Sequence, residues 1–311
     1  MAISIQNWMP PHRTIQEERW HEMTTGSSIV LSLEAGSSAG RWIQSAARTF
    51  MVILAVMVIA SPMVSETGGL GSSELLRRRK LPPSTTHLMG TDGLGRDMLS
   101  RTVKGAGITL AAGILARTGA LLLGTLLGVA AGWFGGRTDT LIMRTVDSFL
   151  AFPGMLLAIG ISLALGQGLT TVIISLALTG WAEIARIIRG CVLEIRHKDY
   201  VTSGKACGGD NLHLIRFHVI PNLVPTLSVV WAMGISASIM GEAALSFLGI
   251  GVGPSTPSWG AMVREGFESL SSAPWIALIP GAMISATVIS MNVMADRIND
   301  RLNPFIRRRK G

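Results

Sequence analysis

Six long apolar runs, separated by polar segments, organise this chain. The runs cover residues 46–64, 108–134, 146–165, 169–188, 223–250 and 274–294. A bilayer has a hydrocarbon core about 30 Å thick, which a helix of about 20 residues crosses, and lipid offers no hydrogen bonds to an irregular backbone. Each run therefore predicts one membrane-crossing helix. The fold class that we expect is an all-α polytopic membrane protein with six transmembrane helices.

The polar segments set the predicted domain boundaries. Residues 1–104 hold a mixed polar leader, the first transmembrane helix and a long loop. Residues 105–296 hold the other five helices, and residues 297–311 form a basic tail. The first apolar run begins too far along the chain for a cleaved secretory signal.

Composition supports the membrane prediction and argues against a nucleic-acid-binding protein. Hydrophobic residues make up 48% of the chain, charged residues only 15%, and the mean hydropathy is +0.45, whereas about a quarter of a soluble domain is charged. The net charge of +8 would suggest nucleic acid in a soluble protein. Here the basic residues lie in short clusters between apolar runs, which is the pattern of the positive-inside rule. We expect contact with membrane lipid and no nucleic-acid partner.

The distribution of Lys and Arg predicts the orientation. Lys and Arg are concentrated in the segment 189–218 and in the C-terminal tail. These residues are Arg189, Arg196, Lys198, Lys205, Arg216, Arg297, Arg301, Arg307, Arg308, Arg309 and Lys310. The loops after the third and fifth runs contain only Arg264. Because basic loops stay in the cytoplasm, we expect both termini and the segment 189–218 to be cytoplasmic. The loop 65–105 departs from the rule, since it would be outside and is also strongly basic.

The apolar runs lack motifs of catalysis and metal binding. The sequence contains no GxxxxGK[ST] phosphate-binding loop, and its apolar runs contain no HExxH or GxSxG motif and no paired Asp, so we expect no enzyme. Cys191 and Cys207 form no CxxC motif and no Cys/His cluster. His87, Asp92 and Asp97 are the nearest approach to a metal site, but a turn that caps a helix is the preferred interpretation. We expect no metal.

The segment 199–222 has the most informative local pattern. It predicts a short helix, a turn at Gly208-Gly209 and a second short helix that leads to Ile220-Pro221-Asn222. Proline suits the first turn of a helix, where its missing N–H costs nothing. A basic loop that folds compactly in this way needs something to dock against.

This segment resembles the cytoplasmic loop of the binding-protein-dependent ABC importer permeases, with its E-A-A…G…I-x-x-x-P pattern. Thr202-Ser203-Gly204 stands where the family usually has Glu-Ala-Ala. In the family this loop sits in a cleft of the ATPase subunit. The resemblance therefore implies an ATPase-docking loop that includes Tyr200, Val201, Thr202, Ser203, Gly204, Lys205, Ala206, Gly208, Ile220 and Pro221.

Three further stretches indicate which branch of the family the chain resembles. Residues 87–101 look like the HPLGTDxLGRDxLSR signature of dipeptide, oligopeptide and nickel permeases, and residues 242–260 resemble that branch's EAALSFLGLGVxPPTPSWG. Asp147 with Ala151-Phe152-Pro153 matches its third span, and Pro153 predicts a bend there. The resemblance covers roughly residues 85–305 and is greatest to the C-type subunit of a dipeptide or oligopeptide importer.

The resemblance implies a type I ABC importer permease fold, with residues 105–296 as its core, in the bacterial cytoplasmic membrane. It implies a channel-forming subunit for di- or oligopeptides that works with a homologous second permease, two ATP-binding subunits and an extracytoplasmic solute-binding protein. ATP–Mg would be used by the ATP-binding subunits, and we expect no cofactor on this chain. The alternatives are nickel, metallophore or opine-type solutes, or an ion-coupled secondary transporter.

Two ionisable residues within the apolar runs are candidates for the translocation path, because a charge in hydrocarbon costs several kcal/mol. Arg117 either extends to the membrane interface or faces the path and attracts a substrate carboxylate. Glu242 lies among small residues that permit close helix contact. It either makes a hydrogen bond within the helix packing or lines the path.

Overall fold

The structure, a computed structural model, describes residues 38–64, 72–253 and 256–302. Most of the predicted leader, most of the basic tail and Pro254 lie outside these residues. The regular elements within them are helices: α1 (Ser38–Ala60), α2 (Ser72–Arg77), α3 (Met98–Phe134), α4 (Gly136–Leu150), α5 (Gly154–Leu165), α6 (Leu169–Ile195), α7 (Asp199–Ala206), α8 (Asn211–Leu214), α9 (Ile220–Phe247), α10 (Trp259–Phe267) and α11 (Trp275–Leu302). A π-helical turn, Ile215–Val219, joins α8 to α9.

The chain divides after Thr49 into two compact units. Of the first unit the structure describes the first part of α1, where Ser45 Oγ donates to the carbonyl of Trp42 at 2.9 Å. The second unit, Phe50–Gly311, contains the remaining elements.

Five helical stretches are long and apolar enough to cross a membrane, namely 42–63, 98–134, 169–195, 211–247 and 275–300. Helices α4 and α5 meet the same test only as a pair, which is bent by 90° at the break between them. The described residues thus contain five candidate spans, or six if the bent pair crosses as one. The prediction of an all-α polytopic membrane protein is confirmed.

The third predicted span differs from the structure. A continuous helix over 146–165 is replaced by α4, which ends at Leu150, and α5, which begins at Gly154. Phe152-Pro153 separates them, because the residue before a proline is disfavoured in the α conformation and proline offers no N–H to a helix. The bend expected at Pro153 is confirmed, and it divides the third predicted span into the bent pair α4–α5.

Helix α3 begins at Met98, well before the apolar run that revealed it. Asp97 caps this end, since its carboxylate accepts hydrogen bonds from the backbone N–H of Ser100 at 2.9 Å and from the Ser100 hydroxyl at 3.0 Å. The first turns of α3 contain the charged residues Arg101 and Lys104, which lower the local hydropathy, so the apolar run begins later than the helix.

Helices α3 and α6 pack in close contact through three glycines spaced four residues apart. A Cβ atom added to Gly124 or Gly128 would lie 2.7 Å from the α6 backbone carbonyl of Trp181 or Ala185. One added to Gly132 would lie 2.8 Å from Val192 Cβ. Small residues at this spacing bring two helix backbones together, so α3 and α6 form one tightly packed pair.

The basic loop before α3 is partly neutralised within the fold. Asp92 Oδ2 accepts from Arg96 Nε and from Arg101 Nη1, each at 2.7 Å, and Arg101 also donates to both carboxylate oxygens of Glu265 in α10. Two of the arginines that contradict the positive-inside rule are therefore paired with carboxylates. Trp275 Nε1 donates to the carbonyl of Thr91 at 3.2 Å and further fixes the loop.

The polar residues first considered as a metal site have other partners. His87 Nδ1 lies 3.0 Å from Asp97 Oδ1, and Asp97 caps α3, while Asp92 belongs to the ion pairs just described. Among the described residues, no cluster of His, Cys, Asp and Glu could hold a metal ion.

Candidate functional site

The segment 199–222 folds as its sequence predicts. Helix α7 is followed by a turn in which Gly208 adopts a φ of +87° and the N–H of Gly209 donates to the carbonyl of Gly204 at 3.0 Å. Asp210 then caps α8 by accepting from the N–H of His213 at 2.9 Å. Pro221 lies in the first turn of α9, as expected.

One side of this segment is buried against the ends of α3 and α6. The side chains of Val201, Leu214 and Val219 are at most 1% exposed and belong to one apolar cluster with Val192 of α6. A Cβ atom added to Gly204 would lie 2.8 Å from Leu214 Cδ2. The absence of a side chain at Gly204 thus lets α7 pack directly on α8.

The other side of the segment is an exposed surface, which we call the docking face. Its large apolar members are Leu212, 72% exposed, Phe217, 57% exposed, and Tyr200, 43% exposed. The ring centroids of Phe217 and His213 are 4.8 Å apart. The other outward residues expected in the docking loop are Thr202, Ser203, Lys205, Ala206, Gly208 and Pro221. Leu212 and Phe217 lie at the start of the stretch 211–247, next to the exposed polar residues of α7, and exposed apolar side chains grouped with polar ones are typical of a protein-interaction surface.

Trp133, at the end of α3, contacts both short helices of the segment, α7 and α8. Its indole Nε1 donates to Asn211 Oδ1 at 3.1 Å, and the Lys205 ammonium lies 4.8 Å from the centre of its ring. Arg196, at the end of α6, donates to the Trp133 carbonyl at 3.0 Å. Sequence analysis missed Trp133, because its partners lie far along the chain and a tryptophan at the end of a span usually marks a membrane interface.

Arg117 lies near the middle of α3 and is half-buried. Its Nη2 donates to the carbonyl of Val230 in α9 at 2.6 Å. A Cβ atom on Gly234 would lie 1.8 Å from Arg117 Nε, so the guanidinium rests on the bare backbone of that glycine. The side chain therefore crosses to α9, and its role in the translocation path stays a prediction.

Glu242 is completely buried. Its Oε1 accepts from Ser246 Oγ one turn later at 2.7 Å, and its Oε2 makes no hydrogen bond of good geometry with the described residues. Within this chain Glu242 thus makes a hydrogen bond inside the helix packing. The hypothesis that Glu242 lines the translocation path stays a prediction.

An open groove of about 610 Å³ lies between α3, α9 and α11. It is lined by Thr118, Leu121, Val224, Leu227, Ser228, Trp231 and Ile298. Its polar side chains have partners within the chain, because Trp231 Nε1 donates to Thr118 Oγ1 at 3.1 Å and Ser228 Oγ donates to the carbonyl of Val224 at 2.8 Å. The groove is therefore an apolar surface, and it begins one residue from Arg117.

Comparison with known proteins identifies the family. Residues 124–308 match the family described as "Binding-protein-dependent transport system inner membrane component". The chain belongs to this family. It is thus the permease component of an ABC importer and not an enzyme, and permeases of this family work with an ATPase and a binding protein.

Named relatives cover most of the chain. A putative peptide transport system permease protein of Brucella suis is 38% identical over 261 residues, which is 84% of this chain and 88% of the relative. The oligopeptide transport system permease protein OppC of Bacillus subtilis is 37% identical over 83% of this chain and 84% of its own length. The glutathione transport system permease protein GsiD of Escherichia coli is 40% identical over 72% of this chain and 74% of its own length.

A solved structure supports the expected fold. A chain of the MetNI methionine ABC transporter, in an inward-facing conformation, is 17% identical and superposes with a TM-score of 0.54 over 66% of this chain and 98% of that chain. The type I ABC importer permease fold is therefore confirmed.

Proposed function

We propose that this chain forms one half of a membrane channel that imports dipeptides or oligopeptides. The observation that carries the proposal is that permeases named for peptides, dipeptides and glutathione, itself a short peptide, align with 71% or more of this chain. The other half of the channel is a homologous second permease subunit, and an extracytoplasmic solute-binding protein delivers the substrate.

Two ATP-binding subunits power the channel, and one of them docks on the docking face of this chain. They bind and hydrolyse ATP–Mg, while this chain binds no cofactor. Leu212 and Phe217 support this role, because each exposes a large apolar group that a partner can cover, and aromatic side chains such as Phe217 are enriched at protein interfaces. The exposed cation of Lys205 adds a polar contact at the rim.

We infer the orientation in the bacterial inner membrane from the proposed role of the docking face. ATP is hydrolysed in the cytoplasm, so the segment 199–222 is cytoplasmic. If the bent pair α4–α5 crosses the membrane as one span, six crossings put both termini on that same side. The five basic residues of 189–218 support this orientation.

Arg117 is the candidate for attracting a peptide carboxylate in the translocation path. Its position supports the role, because it is a cation near mid-helix, only half-buried in this chain, and adjacent to Thr118, which lines the groove. Glu242 has no part in this proposal.

The substrate can be identified by co-purification. The full-length chain is purified in mild detergent together with the binding protein of its own transporter, and the ligand released from that binding protein is identified by mass spectrometry. The proposal predicts peptides of two to several residues. A nickel chelate or an opine in their place would contradict peptide import while leaving the permease assignment intact.

A further inference from the structure

The connection between the docking face and the membrane helices depends on Trp133. The closely packed pair α3–α6 ends at the segment 199–222, so motion of a docked ATPase must reach that pair through the contacts made there. Trp133 is the penultimate residue of α3 and is only 5% exposed. It lies in the same apolar cluster as Val201 and Leu214, which form the buried side of the segment.

Three contacts of different chemistry hold Trp133 to three different parts of the chain. The indole N–H donates to Asn211 of α8, the ring faces the ammonium of Lys205 of α7, and the backbone carbonyl accepts from Arg196 at the end of α6. A guanidinium at the C-terminal end of a helix is also attracted by the free carbonyls and the helix dipole. A displacement of α7 or α8 therefore cannot occur without moving or breaking a contact to Trp133.

The close packing of α3 against α6 allows α3 to transmit such a displacement. Gly132, next to Trp133, lies against Val192 of α6, and Gly128 lies against the Ala185 carbonyl one turn away. These backbone contacts leave little room for α3 to slide along α6, since close-packed interiors transmit displacement. Arg117, which reaches α9 through the Val230 carbonyl, lies on the same helix.

We infer that Trp133 is a positioning residue of transport, which couples movement of the ATPase-docking segment to the α3–α6 pair. The inference rests on the proposed function, because it requires an ATPase on the docking face. It goes further by naming the residue through which that subunit acts. Its role is mechanical, and Trp133 itself contacts neither substrate nor nucleotide.

The test compares two matched substitutions in the complete transporter reconstituted in liposomes. Trp133→Phe keeps an aromatic ring but removes the indole N–H, and Trp181→Phe makes the same change at another buried tryptophan, which packs edge-on against Phe149 with ring centroids 5.2 Å apart. Peptide uptake and ATP hydrolysis are measured on the same samples, together with the amount of assembled complex.

For Trp133→Phe we expect the number of peptides moved per ATP to fall by about threefold to tenfold, the range that one lost hydrogen bond corresponds to. Assembly and ATP hydrolysis should stay near wild type. Trp181→Phe should keep the wild-type ratio. Asn211→Ala should lower the ratio similarly, and the double variant should lower it no further than either single change, because both remove the same hydrogen bond.

Unchanged coupling in Trp133→Phe would overturn the inference, and so would a parallel loss of uptake, hydrolysis and assembly, which indicates a purely structural role. Failure of the proposed function has a different signature. In that case Phe217→Asp, which alters the docking face, would leave the ATPase bound to the complex.

Discussion

Arg101 and Asp92 form a buried ion pair, in which each side chain is only 1% exposed and Arg101 Nη1 lies 2.7 Å from Asp92 Oδ2. Asp92 belongs to the loop before α3, and Arg101 lies in the first turns of that helix. The same guanidinium donates to Glu265 of α10 at 2.5 Å. One cation thus joins a loop and two helices that are distant in sequence.

Replacing Arg101 by Met should strongly destabilise this part of the protein. The change leaves Asp92 as a buried carboxylate with one fewer cation, and breaking a buried pair costs about 3–5 kcal/mol. The measurement is denaturant-induced unfolding of the purified chain in mixed micelles. Arg78→Met is the control, because it breaks an ion pair with Glu74 whose side chains are 35% and 45% exposed, for which less than about 1 kcal/mol is expected. Equal losses in the two variants would contradict the buried role of Arg101.

Gly128→Ala should disturb the α3–α6 contact. The added methyl group would lie 2.7 Å from the Ala185 carbonyl, and a backbone atom cannot move aside as a side chain can. Overpacking of this kind costs about 1–3 kcal/mol, so the yield of folded chain and its unfolding midpoint should both fall. Gly160→Ala in α5 is the matched control, since nothing lies within 4 Å of its added Cβ. Equal yields and unfolding midpoints in the two variants would show that Gly128 does not limit the packing of α3 against α6.

The capping contact of Asp97 should make stability depend on acid pH. Partial burial raises the pKa of Asp97, but hydrogen bonds from the Ser100 N–H, from His87 and from the Ser100 hydroxyl outweigh it and leave the pKa below its ordinary value. A lowered pKa in the folded state stabilises the protein above the ordinary pKa of about 4, and this contribution disappears as the pH falls through the lowered value.

Asp97→Asn therefore should flatten the loss of stability below about pH 4, while the side chain can still accept a hydrogen bond at the start of α3. Unfolding midpoints measured at a series of pH values for wild type and variant test this. An identical acid slope in both proteins would show that other carboxylates determine it.

The docking face should lose its partner when an apolar anchor is replaced by a charge. Leu212→Asp or Phe217→Asp should weaken ATPase binding by about 10-fold to 100-fold, since burying one large apolar side chain is worth about 1.5–3 kcal/mol. Co-purification of the ATPase with the tagged chain measures this. Leu88→Asp is the control, because Leu88 is 68% exposed in the loop before α3. Equal retention of the ATPase in all three variants would place its binding site elsewhere.

Arg117→Leu should raise the peptide concentration needed for half-maximal uptake, because it removes the cation proposed to attract a peptide carboxylate. Assembly should stay normal, since leucine fits beside Gly234 without the desolvation of a charge. Uptake titrations in proteoliposomes measure the change. Unchanged half-saturation would leave Arg117 as a residue that only connects α3 to α9.

The sequence predicted the features that depend on local pattern. Hydropathy located the apolar helices, and the glycine turn at 208–209 with Pro221 outlined the folded segment between α6 and α9. Sequence-based prediction failed for contacts between side chains that are distant along the chain. The charge of Arg101 shortened the predicted α3, although Asp92 and Glu265 neutralise that charge in the fold. Trp133 and Asn211 could not be paired from local pattern, because 78 positions separate them. Pro153 predicted a bend but not its angle, which the packing of α4 and α5 on α6 determines.

The most direct test of the central claim is ATP-dependent uptake of a labelled dipeptide and a labelled tetrapeptide by the complete transporter in proteoliposomes, with its binding protein added. Uptake should require ATP, persist when a proton ionophore is present and fall with Phe217→Asp. Uptake that continues without ATP and collapses with the proton gradient would contradict the account, because the chain would then be an ion-coupled transporter.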